Sequence, residues 1–305
     1  MKLIVFGHKD RAARCMKYLF SQGVEIACLV SPSNVSPKDK SIQLAKENKI
    51  ANIMWSNNPE QVRAQLEEFD YELFVVCGFP HIFEADLINS PRLGTINLHA
   101  GKLPEYRGSS PINWALINGE REITISIIKM TEEIDAGPII KELTLRIEKQ
   151  DNAASVLNWA LNQFPKLLHQ AIVKIKQDNQ IIGKEQNTAN ARYFPLRTPE
   201  DGFINFESMK VDKILNLIRA LCSPFPGAFS IIDGRKVYFT EAEKIGIRFI
   251  GVPGKVYLVR GLGLIVMAKD CGMRIVSARF DDQEKGALIE SKELSGKRFK
   301  PYLKV

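Results

Sequence analysis

Short, unbroken apolar runs separated by helical stretches constrain this chain most. Leu73-Phe74-Val75-Val76-Cys77-Gly78 has no polar side chain to turn toward water, and Lys2–Gly7 and Val24–Ser31, polar only at Lys2, Glu25 and Ser31, also read as buried strands. Strands of this kind are buried on both faces, which a sheet achieves when its crossovers are helices packed above and below. The intervening stretches fit: helices are expected over 10–22, with Ala13, Met16, Leu19 and Phe20 inward, and over 40–48 and 59–68, with a short strand at 51–55. Further strands are expected at 95–99, 123–130 and 138–147, and helices at 111–118 and 153–178. The fold class is therefore α/β, a Rossmann-like, mostly parallel sheet with right-handed crossovers.

From residue 201 the pattern changes. One amphipathic helix is expected at 211–222, then five short strands near 228–232, 235–240, 255–259, 263–268 and 273–278, each bounded by Gly, Asp or Pro. That suits a small OB-like β-barrel. Residues 179–200 are polar (Asn179, Gln180, Gln186, Asn187, Asn190) and end in Arg197-Thr198-Pro199. The boundaries that follow are a first domain over 1–190, a linker over 191–200 and a second domain over 201–305, two domains being ordinary for 305 residues.

No apolar run reaches the length of a membrane span, and the first strand is too short and wrongly flanked for a signal peptide. The five cysteines, Cys15, Cys28, Cys77, Cys222 and Cys271, are scattered and lack a Cys-x-x-Cys pair. Free thiols in a reducing cytoplasm are the expectation, and no metal site is expected. The first strand ends in Gly7-His8-Lys9-Asp10 and not in Gly-x-Gly-x-x-Gly, which argues against a nicotinamide dehydrogenase. No nucleophile elbow of Gly-x-Ser-x-Gly type is present. The net charge is +7, and residues 201–305 hold 18 Lys and Arg against 12 Asp and Glu. Such a surface favours polyanions, although a solvated basic face explains it equally.

The chemistry-bearing residues cluster in two places. Asn97-Leu98-His99 ends a strand, so Asn97 and His99 project to the same side. The loop Gly101-Lys102-Leu103-Pro104-Glu105-Tyr106-Arg107-Gly108 follows, and Ile134-Asp135-Ala136-Gly137-Pro138 lies between two later strands. Taken singly, Asn97 is a turn former, His99 a structural histidine, Asp135 a turn cap and Arg107 a surface partner for Glu105. Together they supply an amide for an oxyanion, an imidazole for a proton, a carboxylate to orient it and a guanidinium for an anion. Acyl transfer to an amine through a tetrahedral intermediate, with no covalent enzyme intermediate, needs that set.

In these residues, and in Arg197–Gly202 and Pro224-Phe225-Pro226-Gly227-Ala228-Phe229, the chain resembles the folate-dependent formyltransferase family over most of its length. The resemblance implies 10-formyltetrahydrofolate as formyl donor and no metal. It places the family's catalytic trio on Asn97, His99 and Asp135. Folate contacts fall on His81, Ile82 and Phe83 and on Thr131, Glu132, Glu133 and Ile134, and acceptor contacts on Gly101, Lys102, Tyr106 and Arg107. Two departures stand out: Gly101-Lys102 replaces the family's frequent Ser-Leu before Leu-Pro, and Phe79-Pro80 precedes His81. Members acting on tRNA carry a basic Gly- and Arg-containing insertion after the second strand. Here Ser31–Lys40 is short, with two lysines, no arginine and no glycine. The expected acceptor is therefore a nucleotide-linked amino sugar, most like the UDP-4-amino-4-deoxy-L-arabinose type, with a homodimer possible. Methionyl-tRNA formylation is the alternative, and a non-catalytic folate or nucleotide binder a third reading.

Overall fold

Leu3 to Phe6 are fully buried in strand β1 (Lys2–Gly7), which lies between β2 (Glu25–Ser31) and β4 (Leu73–Cys77). Burying Phe6 or Ile4 contributes roughly 2 kcal/mol each. Phe6 is a hub: its ring meets Phe74, Phe79 and Phe83 with centroids 5.0, 5.6 and 4.8 Å away.

The computed structural model describes residues 1–56, 58–282, 289 and 291–300. They divide into two units, and 301–305 of the expected second domain lie outside the described residues. One unit comprises Met1–Pro111, Glu122–Arg146 and Leu157–Phe194; the other comprises Ile112–Arg121, Ile147–Val156 and the chain from Pro195.

In the first unit, β1 leads to α1 (Lys9–Ser21) and β2, then α2 (Lys40–Glu47), β3 (Ala51–Met54), α3 (Pro59–Leu66) and β4. There follow α4 (Ala85–Asn89), β5 (Thr95–His99), the two-residue β6 (Arg107–Gly108), then, after α5 (Pro111–Ile117), which but for Pro111 belongs to the second unit, β7 (Glu122–Lys129), β8 (Ile139–Arg146), α6 (Ala153–Asp178) from Leu157 onward, and β9 (Tyr193–Phe194). The sheet order is β3-β2-β1-β4-β5-β7-β8, parallel through β5 and antiparallel at β7 and β8. The β7–β8 connection is too short for a parallel crossover, so those strands form a hairpin. The buried face of α1 is Ala12, Cys15, Met16 and Leu19. Met16 and Leu19 match the expected stripe, whereas Ala12 and Cys15 are buried in place of Ala13 and Phe20, so the inward face is turned slightly about the helix axis.

Residues 193–194 are not linker. Strand β9 pairs in parallel with β6, and Arg107 N–H donates to Arg192 O at 3.0 Å.

The second unit contains α7 (Val211–Ala220) and strands β10 (Ala228–Ile232), β11 (Arg235–Lys244), β12 (Val256–Val259), β13 (Gly263–Met267) and β14 (Gly272–Phe280), followed by α8 (Ser291–Leu294). The strands are antiparallel throughout, in the order β10-β11-β14-β13-β12. Asp233 and Gly234 join β10 to β11 with φ of 50° and 77°, as a two-residue hairpin turn requires. Arg298 and Lys300 bridge Lys255, beside β12, and Ile231 in β10, so one short segment spans the gap between the edge strands. Phe206, Phe229, Phe239, Phe280 and Phe299 fill the core.

Candidate active site

Strand β5 ends at the carboxyl edge of the sheet, where doubly wound folds place their ligands. Its register sets Asn97 opposite Ile128 and His99 opposite Ser126 on β7. The hairpin leaving β7 then returns Asp135 to that edge. Asp135 Oδ1 accepts from Asn97 Nδ2 at 3.3 Å, and Oδ2 lies 3.4 Å from His99 Nδ1. Oδ2 also accepts the Gly108 backbone N–H at 2.9 Å. Three side chains far apart in sequence thus meet around one carboxylate.

The partner of the other imidazole nitrogen fixes the tautomer. His99 Nε2 lies 2.6 Å from the Tyr106 carbonyl oxygen, which can only accept, so Nε2 carries the proton. The Tyr106 backbone, and not Asp135, therefore selects the tautomer. Nδ1 faces the carboxylate. His99 is 5% exposed, and Asp135 is 11% exposed at its side chain.

Close backbone approaches build this geometry. Asp135 has φ of 52°, a left-handed conformation that Asp tolerates at some cost. A Cβ on Gly137 would lie 1.9 Å from Lys129 O, so only glycine lets the hairpin close. A Cβ on Gly101 would lie 2.7 Å from both His99 Nε2 and Tyr106 O. Gly101, expected at the acceptor, instead gives the imidazole room.

Arg107 is also placed differently. Its side chain is 1% exposed. Nε and Nη2 donate to Gln186 Oε1 at 3.1 and 3.0 Å, and Nη1 donates to Glu133 Oε1 at 3.1 Å and to Tyr193 OH at 2.7 Å. The guanidinium is committed inside the protein, so it does not offer itself to a ligand phosphate. Its acid is Glu133, not the neighbouring Glu105. Lysine at this site loses the fork onto Gln186. Arg107→Lys is expected to cost about 2–3 kcal/mol of stability, measured by denaturant unfolding. Unchanged stability with a raised acceptor KM would restore the anion-binding role.

Tyr106 is 3% exposed and stacks on Phe194, with centroids 4.8 Å apart and an interplanar angle of 6°. Its ring is packing, and its carbonyl is what reaches the site. Lys102 is 56% exposed, with Nζ 3.8 Å from Glu105 Oε1, and it remains the loop's outward cation.

Of the expected folate-contacting residues, Phe83 is 5% exposed and stacked on Trp55 with an interplanar angle of 9°. Its side chain belongs to the core, where Phe6, Phe79 and Trp55 compete for it. His81 stacks on Trp55 at 5.4 Å, and Ile82 is 79% exposed. Thr131, Glu132, Glu133 and Ile134 are all exposed, with Thr131 Oγ1 donating to Glu133 O at 3.1 Å. Met130, just before them, packs on the cluster that contains Phe83. Ile82 and Ile134 are exposed apolar side chains, one in each of the two segments. Among the described residues no group of three His, Cys, Asp or Glu is arranged to hold a metal ion, and no helix is long and apolar enough to cross a membrane.

Sequence reasoning missed Gln186, whose amide Nε2 donates to Asp135 O and Gly137 O, both at 2.8 Å. A lone glutamine in a polar stretch gives no signal of such a contact.

Comparison with known proteins places the chain among formyltransferases. Methionyl-tRNA formyltransferase of Caldanaerobacter subterraneus subsp. tengcongensis is 28% identical over 305 residues, covering 95% of this chain and 96% of that protein. The bifunctional polymyxin resistance protein ArnA of Wigglesworthia glossinidia brevipalpis is 28% identical over 289 residues, 92% of this chain but 43% of that protein. Among solved structures, the N-formyltransferase of Helicobacter canadensis, in complex with folinic acid and dTDP-3-aminofucose, matches with a TM-score of 0.69 at 19% identity, covering 92% of this chain and 100% of that one. HypX of Aquifex aeolicus matches with a TM-score of 0.64 at 18% identity, and this chain spans 50% of its length. The family described as formyl transferase matches residues 1–172, and its C-terminal domain matches residues 197–288. With Asn97, His99 and Asp135 gathered at the sheet edge inside the first of those matches, the chain belongs to the formyl transferase family.

Proposed function

We propose that this formyltransferase moves the formyl group of 10-formyltetrahydrofolate onto the amine of a nucleotide-linked amino sugar, with Asn97, His99 and Asp135 as its catalytic residues. The family draws its one-carbon unit from formyl-tetrahydrofolate, which when bound supplies an electrophilic formyl carbon. The protein's residues do the rest. Asn97 uses one amide N–H on Asp135 and has a second for the formyl oxygen as negative charge develops there, worth about 3 kcal/mol of barrier. The Asp135–His99 pair takes the proton that the attacking amine releases and returns one to the departing folate nitrogen. His99, anchored through Nε2, cannot swing away from the carboxylate during this exchange. Ile82 and Ile134 cover the donor ring, and Lys102 faces the acceptor's phosphates.

The observation that carries the choice of acceptor is the connection between β2 and α2. It runs only from Pro32 to Asp39, and it is tied down. Asp39 accepts the Lys9 N–H at 3.1 and 2.9 Å and the Ser41 N–H and hydroxyl at 2.9 and 2.6 Å. Burial pushes the Asp39 carboxyl up, but the bonds from Ser41 and Lys9 outweigh it and hold it below its ordinary value. The tie is thus present at neutral pH and lost as pH falls below the carboxylate range. A fastened segment of this length supplies no basic wedge for an acceptor stem.

The tRNA reading keeps one specific support, the 18 Lys and Arg against 12 acids in residues 201–305. The two readings separate in one assay. The protein is supplied with 10-formyltetrahydrofolate and, in parallel, UDP-4-amino-4-deoxy-L-arabinose, dTDP-3-aminofucose and charged initiator tRNA, with product mass as readout. Formylation of an amino sugar at a kcat/KM at least about 100-fold above that for the tRNA is expected. The reverse order overturns the choice of acceptor.

A further inference from the structure

We infer that Gln186 is a positioning residue that holds Asp135 in its working conformation, a role that rests on the reading of Asp135 and His99 given above. The Asp135 backbone is left-handed, and the hairpin around it supplies little to keep it so: its internal backbone bond, Ala136 N–H to Glu133 O, is 3.3 Å long. The support comes from 51 residues further along the chain. One amide nitrogen reaches two carbonyls flanking Ala136, those of Asp135 and Gly137, so both of its N–H groups are spent on the turn.

The other end of the same amide faces Arg107. Oε1 accepts from Nε and Nη2, and the third guanidinium nitrogen grips Glu133 and Tyr193. The Tyr193 hydroxyl in turn donates to Glu133 Oε1 at 2.5 Å. Residues 133–137 are therefore held at the Glu133 side chain and at two backbone carbonyls, by two buried or half-buried side chains that hold each other. The amide orientation is unambiguous. Arg107 offers only donors and the carbonyls only accept, so a flipped Gln186 loses all four bonds.

The consequence reaches the carboxylate. With its backbone clamped, Asp135 points at Asn97, His99 and the Gly108 N–H at the distances given above. Without the clamp, a shift of about 1 Å suffices to cost on the order of 100-fold in rate.

The test uses the full chain and two variants. Gln186→Leu removes the amide. Gln186→Glu keeps an oxygen for Arg107, adds an ion pair and cannot donate to the carbonyls, so it holds the fold while releasing the turn. Both are expected to lose about 10- to 100-fold in kcat, with the KM for 10-formyltetrahydrofolate and for the amino-sugar nucleotide within about twofold. If tRNA proves to be the acceptor, charged initiator tRNA replaces the sugar. A second readout needs no substrate. Gly108 N–H is held by the Asp135 carboxylate, so its hydrogen exchange should rise at least about tenfold in Gln186→Glu. Wild-type kcat and wild-type Gly108 protection in Gln186→Glu overturn the proposal and leave Gln186 as packing. Asp135→Asn tells the two failures apart. If it stays active, the reading of Asp135 fails, whereas if it is inactive while Gln186→Glu is normal, only the positioning role fails.

Discussion

His99→Ala is expected to lower kcat for formyl transfer by about 1,000-fold while the protein still binds its folate donor. That loss corresponds to about 4 kcal/mol of transition-state stabilisation. Two contacts justify the size. The imidazole Nδ1 lies 3.4 Å from the Asp135 carboxylate, and the ring is braced from behind by the Tyr106 carbonyl at 2.6 Å. Alanine removes the proton store and leaves the carboxylate with only the Gly108 N–H and the Asn97 amide. Asp135→Asn probes the same unit from the other side. It keeps the shape and the contact to Asn97, and a loss of similar size is expected because the two residues act as one group. The double variant should then be little worse than either single one. Single-turnover rates with donor binding followed in parallel check this. A loss under tenfold in His99→Ala, or additive losses in the double variant, removes the pair from the chemistry.

Gly137→Ala is expected to do the greatest structural damage of any methyl added to the first unit. The new carbon would sit 1.9 Å from Lys129 O, far inside van der Waals contact, and the obstacle is backbone. The β7–β8 hairpin has to open at the bond from Lys129 N–H to Pro138 O, 3.0 Å long. The Gly137 carbonyl also leaves Gln186. Overpacking of this kind costs about 3 kcal/mol, or roughly 6–12 °C in Tm for a domain of this size. Activity should fall about 100-fold further than the loss of folded protein explains, because Asp135 lies two residues away. Gly246→Ala is the control: its added carbon meets nothing within 4 Å, and a change within about 0.5 kcal/mol is expected. Thermal unfolding and kcat of the two variants, measured side by side, test both statements. A Gly137→Ala protein as stable and active as the wild type contradicts the close approach.

The elements were legible for a simple reason. Strands such as Leu73–Cys77 and helices such as Ala153–Asp178 are written in local periodicity, and their bounds came out within a few residues. Asn97 and His99 were legible as partners because they share one strand face. The place of the Phe83 side chain was not legible, because a single aromatic after a strand looks the same whether it faces a ligand or, as here, packs on Trp55 and Phe6. Tyr193 and Phe194 were read as linker because two residues carry no periodicity; their strand exists only once Arg107 and Gly108 lie beside them.

By itself, the sequence determined the layered α/β architecture, the five short strands after it, and the identity of the amide, imidazole and carboxylate. All of these follow from local pattern and side-chain chemistry. Only the tertiary structure decided that the Tyr106 carbonyl orients the imidazole, that Arg107 is buried against Glu133 and Gln186, and that Gln186 reaches back to the turn of Asp135. Those are contacts between backbone groups and side chains distant along the chain. A backbone carbonyl has no letter of its own in the sequence, so its partner can be found only after the chain has folded.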